Sequence, residues 1–192
     1  MPRLPSFWRK RGIVVPEGDI VTELTEFPQM ETGAPEPLIL MDEHRLALAY
    51  YVNVVPPEPG GFYKTVQRRD ADEVALINVV KFDGYSQIRF GYPNDEALGG
   101  HRLWGRGLVA YAVCEVKDSS WPRELEKANR AHHRHSADLF DDMRHIIFTF
   151  HDSTLEVLFR EGPYRSGCFS HEVHATTMAA LLPQMQAFVN GV

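Results

Sequence analysis

Thr149, His151 and Glu156 are the residues whose types and spacing could move a proton. Histidine titrates near neutral pH, and a carboxylate beside it can orient it or share its proton. The apolar alternation over 144–151 and 154–160 predicts two strands of a hairpin. Its expected register pairs Thr149 with Glu156 and His151 with Thr154. One face then carries Ile146, Phe148, Phe150, Leu155, Val157 and Phe159, which reads as core. The other carries His145, Thr149, His151, Thr154, Glu156 and Arg160. A merely solvated sheet face favours long charged side chains, whereas this face is mostly short-armed. His151, Glu156 and Thr149 are therefore the candidate catalytic residues. The plainer alternative, a wet face of an antiparallel sheet, stays open.

The loop over 91–101 offers a second set of polar groups. Asn94, Asp95, Glu96 and His101 lie on a long connection between strands, where binding residues often sit. With Thr154 they form a candidate ligand-binding set, expected to share a concavity with His151 and Glu156. The same stretch also reads as a turn capped by Asn94 or Asp95 and stopped by Gly99.

Histidine is otherwise concentrated late in the chain, with eight of the nine between His101 and His174. His132, His133 and His135 read as the solvated end of a helix, where cations meet the negative end of the dipole. His171 and His174 stand three apart, so on one strand they face opposite sides. Neither group makes the three or four convergent ligands a metal needs, and no metal is expected. The chain lacks G-x-G-x-x-G, the Walker A loop, C-x-x-C, H-E-x-x-H and G-x-S-x-G, so no cofactor is expected. Cys114 and Cys168 sit in apolar surroundings and read as buried thiols.

The elements that must position these groups are mostly strands. Runs over 38–41 and 46–55 flank a polar corner at 42–45 and predict a hairpin. Runs over 74–82 and 85–90 flank Asp83-Gly84, a dipeptide that favours a tight hairpin turn. Further strands are predicted over 108–116 and 169–173. Ser119-Ser120-Trp121-Pro122 opens a helix to about 131, with Ser as N-cap and Pro in the first turn. A short helical turn is predicted over 137–143. Met178, Leu181, Leu182, Met185 and Phe188 form one face of a last helix over 176–189, kinked or restarted at Pro183. The fold expected is α+β, an antiparallel sheet built from hairpins with helices packed on one side. Residues 1–36 read as an extended, Pro-rich, acidic arm, with little regular structure expected over 1–33. Four basic residues fall in its first eleven positions, and eight acids without Lys or Arg occupy 12–44. Phe7, Trp8 or Ile13 is expected to bury against the domain or a second subunit. Residues 37–192 read as one domain.

The blocks GYPNDEALGGH over 91–101 and FTFHDSTLE over 148–156, together with Ser120-Trp121, Glu124-Leu125 and Asn129, resemble a small bacterial family of uncharacterised proteins. The likeness covers about residues 36–160. That family has no established activity, so the resemblance implies a shared fold and supplies no substrate.

Twenty Lys and Arg against 26 Asp and Glu give a net charge of -6, which argues against nucleic acid or an anionic membrane as partner. No apolar stretch has the length of a signal core or a membrane span, so a cytoplasmic location is expected. Besides a metal protein built on the His-rich C-terminal half, two functions stay open on these residues. One is a small-molecule-binding protein or cofactor-independent acid/base enzyme using the His/Thr/Glu face. The other is an interaction or accessory module acting through the arm, with a homodimer as its simplest form.

Overall fold

Alternation over 143–160 leaves both faces of its two strands to be filled, and the chain fills them differently. The computed structural model describes residues 18–54, 73–162 and 167–192. Nine strands among them form two antiparallel sheets. They are β1 (Ile20–Glu23), β2 (Leu38–Met41), β3 (Arg45–Tyr51), β4 (Ala75–Asp83), β5 (Tyr85–Gly91), β6 (Val113–Lys117), β7 (Met143–Thr149), β8 (Thr154–Arg160) and β9 (Gly167–Ala175). One sheet has the order β1-β6-β7-β8-β5 and the other β2-β3-β4-β9. Two helices, α1 (Trp121–Asn129) and α2 (Leu182–Val189), complete the regular structure.

The inner faces meet in one aromatic core. Leu46, Leu48, Tyr50, Val80 and Phe82 of the smaller sheet pack on Ile146, Phe148, Leu155, Val157 and Phe159 of the larger one. Phe148 is the hub: Phe27, Tyr50 and Phe82 approach it edge-on, and Phe150 stacks beside it. Buried Asn78 is met at both ends of its amide, donating to Tyr50 Oη at 2.8 Å and accepting from Ser170 Oγ at 2.8 Å. This satisfies a group that would otherwise be costly to bury.

The antiparallel α+β class expected from the sequence holds. The helices do not share one side, however, because each sheet has its own outer face to cover. Leu181, Met185 and Val189 of the last helical stretch pack on Ala47, Ala49, Ile77 and Val79. α1 lies outside the larger sheet, held through Trp121 to Gln87 and His145, and the connection 92–112 covers the same sheet where its Leu98, Leu103 and Leu108 pack on Cys114, Val116 and Ile147. The final helix does restart at Pro183, after a short helical turn at Met178–Leu181. The predicted turn at 137–143 is a single 3-10 turn, Ala137–Phe140.

Three local expectations need correction. The 42–45 hairpin forms, with Asp42 Oδ1 accepting from the backbone N–H of His44 and Arg45 at 2.7 Å each. Asp83-Gly84 is no hairpin: β4 pairs with β3 and β9, β5 pairs with β8, and the dipeptide carries the chain from one sheet to the other. Gly84 still has the positive φ, 79°, that the dipeptide suggested. The predicted strand at 108–116 shortens to β6, since 108–112 belong to the covering loop.

Residues 18–36 of the arm pack into this domain. β1 pairs with β6, Met30 bridges Val52, and Met30 is fully buried. Gly107 permits the close approach of β1: its φ is 108°, and a Cβ there would stand 2.9 Å from the Val21 carbonyl oxygen. Phe7, Trp8 and Ile13 lie outside the described residues. No helix among the described residues is long and apolar enough to cross a membrane.

Candidate functional site

The β7–β8 hairpin closes one step earlier than its sequence suggests. Phe150 N–H donates to the Ser153 carbonyl at 2.8 Å, so His151 and Asp152 are the turn. Thr149 then pairs with Thr154, and Glu156 with Ile147. This corrects the expected partners, Glu156 for Thr149 and Thr154 for His151. The slip is an even one, so it preserves the faces, and the core face is as expected. The opposite face is buried rather than wet, because the 92–112 connection and α1 cover it.

That change of register divides the expected site in two. His151 sits in the turn and joins Asp95 and Tyr111. Its Nδ1 is 3.1 Å from Asp95 Oδ2 and 2.8 Å from Tyr111 Oη, and Tyr111 donates to the same Asp95 oxygen at 2.5 Å. Asp95 N–H also donates to the His151 carbonyl. Burial pushes the Asp95 carboxyl up, but bonds from Tyr111 and His151 outweigh it and hold the acid below its usual range. Burial, with Asp95 beside it, pushes the Tyr111 phenol well up, so it stays a proton donor. Tyr111 has φ 55°, unusual for a bulky residue. The cluster clasps the hairpin tip to the loop.

Glu156 lies in the other cluster, only 4% exposed. Arg102 reaches its Oε2 at 2.5 Å, His145 Nε2 stands 2.9 Å from that oxygen, and His101 Nε2 is 3.7 Å from Oε1. Burial opposes ionisation, but the two imidazoles and the guanidinium outweigh it and hold the carboxyl far below its usual range. His101 Nδ1 accepts from Leu103 N–H at 3.2 Å, which leaves its Nε2 to carry hydrogen toward Glu156.

His145, fully buried, links this cluster to the surface. Its Nδ1 is 2.8 Å from Ser119 Oγ. An ionised Glu156 only accepts, so His145 Nε2 carries the hydrogen, and Ser119 donates to Nδ1. The Nε2–H is not aligned on the carboxylate for a hydrogen bond, so that contact is a close electrostatic one. Burial lowers the His145 pKa below its usual value; Glu156 opposes the shift, and Arg102 and Arg89 add to it. His145 is therefore a neutral base at neutral pH. Trp121 sets its ring edge against the imidazole at 4.9 Å between centroids. Trp121 is itself held by a bond to Gln87 and by Arg89 over its ring at 4.1 Å.

Ser119 completes the chain at the start of α1. Its Oγ accepts from Trp121 N–H at 3.2 Å. Of the two serines expected to open the helix, Ser119 therefore takes up a first-turn N–H, while the Ser120 N–H and hydroxyl donate to Asp19 at 2.8 and 3.2 Å. Ser119 lines a groove of about 500 Å³ at the end of the larger sheet, together with Pro122, Arg123, Phe140, Met143 and Arg144.

The remaining sequence candidates have structural places. Thr149 accepts from Ala112 N–H at 3.0 Å and donates to the Val109 carbonyl at 2.8 Å. Thr154 reaches the Gly91 carbonyl at 3.5 Å. Asn94 accepts from Ala97 N–H, capping the turn as one reading anticipated, and Glu96 is exposed. His132 and His133 are exposed beyond the end of α1. His171 and His174 both lie on β9, where their spacing puts them on opposite faces. Among the described residues no group of three or more His, Cys, Asp or Glu is arranged to hold a metal ion. Sequence reasoning placed His145 on the polar face without choosing it. In the observed register His145 pairs with Leu158 and Glu156 is its diagonal neighbour, whereas the expected register set them four residues apart and gave no signal joining them. Nothing local pointed to Arg102 or Ser119. Compared with family models, curated proteins and solved structures, the chain matches none.

Proposed function

We propose that this protein is a cofactor-independent acid/base enzyme acting on a small molecule bound in the Ser119 groove. One observation carries the reading: an unbroken run of contacts from buried Glu156, through neutral His145, to Ser119 on the groove wall. A buried base with a lowered pKa, backed by an ionised carboxylate, can take a proton and have its imidazolium stabilised. The groove volume is in the range of small-molecule sites. His145 replaces His151 as the catalytic histidine of this reading, Glu156 is retained as a positioning residue, and Thr149 becomes structural.

The test is turnover of p-nitrophenyl carboxylic and phosphate esters by the full chain, against His145→Gln. The expected result is a turnover lost by about 10²-fold or more in the variant, the usual contribution of a positioned base, with its circular dichroism retained. Turnover absent from the wild type, or unchanged in a folded His145→Gln, would overturn the proposal.

A further inference from the structure

The geometry points to Ser119 as a nucleophile that forms an acyl-enzyme with carboxylic esters of small, neutral or cationic molecules. This rests on the acid/base reading above and deepens it. The hydroxyl is already aimed: Oγ donates to His145 Nδ1 at 2.8 Å while its other side accepts from Trp121 N–H. A serine is a weak nucleophile until a base takes its proton as it attacks, and His145 stands where that proton must go.

The step balances without any further reagent. Ser119 Oγ bonds to the ester carbonyl carbon as its proton moves to His145 Nδ1. The carbon–oxygen bond to the leaving alcohol breaks, and that oxygen takes the proton from His145. Water then gives a proton to His145 and adds to the acyl carbon; the bond from that carbon to Ser119 Oγ breaks, Oγ takes the proton back from His145, and the carboxylic acid leaves. In each half the transient imidazolium lies 2.9 Å from the Glu156 carboxylate.

The substrate class follows from the charge of the groove. Glu115 and Glu161 pair with Arg144, and Lys117 pairs with Glu115. What remains in the lining is Asp118, Asp141 and Asp142 against Arg123, a surplus of negative charge. Such a field repels a phosphate ester or a carboxylate-bearing acyl group and tolerates neutral or cationic ones.

The experiment is labelling of the full chain with a fluorophosphonate, read by intact mass and peptide mapping, with ester turnover measured in parallel. The expected adduct is single and maps to Ser119, and His145→Gln forms it about 10²-fold more slowly or worse. Turnover should favour a neutral p-nitrophenyl ester over one bearing a carboxylate. Labelling is read on the wild type itself, so the result does not depend on Ser119→Ala folding. Turnover that needs His145 while Ser119 stays unlabelled would overturn the nucleophile and leave the acid/base reading standing. An adduct elsewhere, or one on Ser119 formed equally fast in folded His145→Gln, would also overturn it. Absence of both labelling and turnover would overturn both.

Discussion

A carboxylate taken from water keeps its charge only where other groups replace the water. Glu156 has a guanidinium at 2.5 Å and two imidazoles within 3.7 Å, and that company distinguishes it from the other hairpin polar groups. Thr149, one residue from the turn, is equally buried but has only backbone partners. The two residues should therefore separate by experiment. Thr149→Val keeps the shape and leaves the Ala112 N–H and Val109 carbonyl without their partner, at a cost of about 1–3 kcal/mol. Chemical denaturation should register that loss while ester turnover per folded molecule stays at the wild-type level. A fall in turnover beyond the fall in folded protein would return Thr149 to the site.

At the scale of elements, the sequence disclosed what local patterns encode and hid what distant partners decide. β2 to β9, both helices and the core face of β7–β8 were legible because period two and period 3.6 follow from side-chain direction alone, whereas β1 was not, being a four-residue edge strand in a stretch expected to lack regular structure. The Asp83-Gly84 turn was legible as a turn, yet the partner of β5 was not. A turn dipeptide sets backbone angles at two residues, whereas pairing is settled by which apolar faces meet across the molecule. Likewise, nothing within 144–160 told that a distant loop would cover its polar face and divide the candidate residues between two places. Asp95 does meet His151 and His101 does approach Glu156, but as two clusters. Coverage of the other sheet was legible, and it gives a measurable consequence. Met185 is fully buried between α2 and β3–β4. Met185→Ala should lower unfolding free energy by about 2–5 kcal/mol, the usual cost of emptying such a site. A loss below about 0.5 kcal/mol, typical of surface positions, would mean that α2 does not seal that face.

Taken whole, the molecule is a sandwich whose central strands are dry on both faces, with the buried pair His145 and Glu156 on the outer face of the larger sheet. That placement makes stability depend on pH in a defined direction. His145 has its pKa lowered from 6.5 in the fold, so below about 6.5 the unfolded chain binds the proton more readily. Stability from keeping His145 neutral is complete above that value and is lost as pH falls below it. Glu156 and Asp95 are also lowered, from 4.5 and 3.8, and their contributions are complete above those values and lost on further acidification. The expected melting profile is flat at neutral pH, begins to fall below about 6.5, and steepens below about 4.5. His145→Gln removes the buried histidine; His171 is lowered too but is exposed and screened by solvent, so the onset should still move down toward the carboxylate range, even if the variant is less stable throughout. Melting temperatures of the wild type and His145→Gln, measured across that window, check it. Coincident onsets near 6.5 would place the sensitive histidine elsewhere, and a wild type that stays flat down to 4.5 would show that His145 is not held neutral by burial.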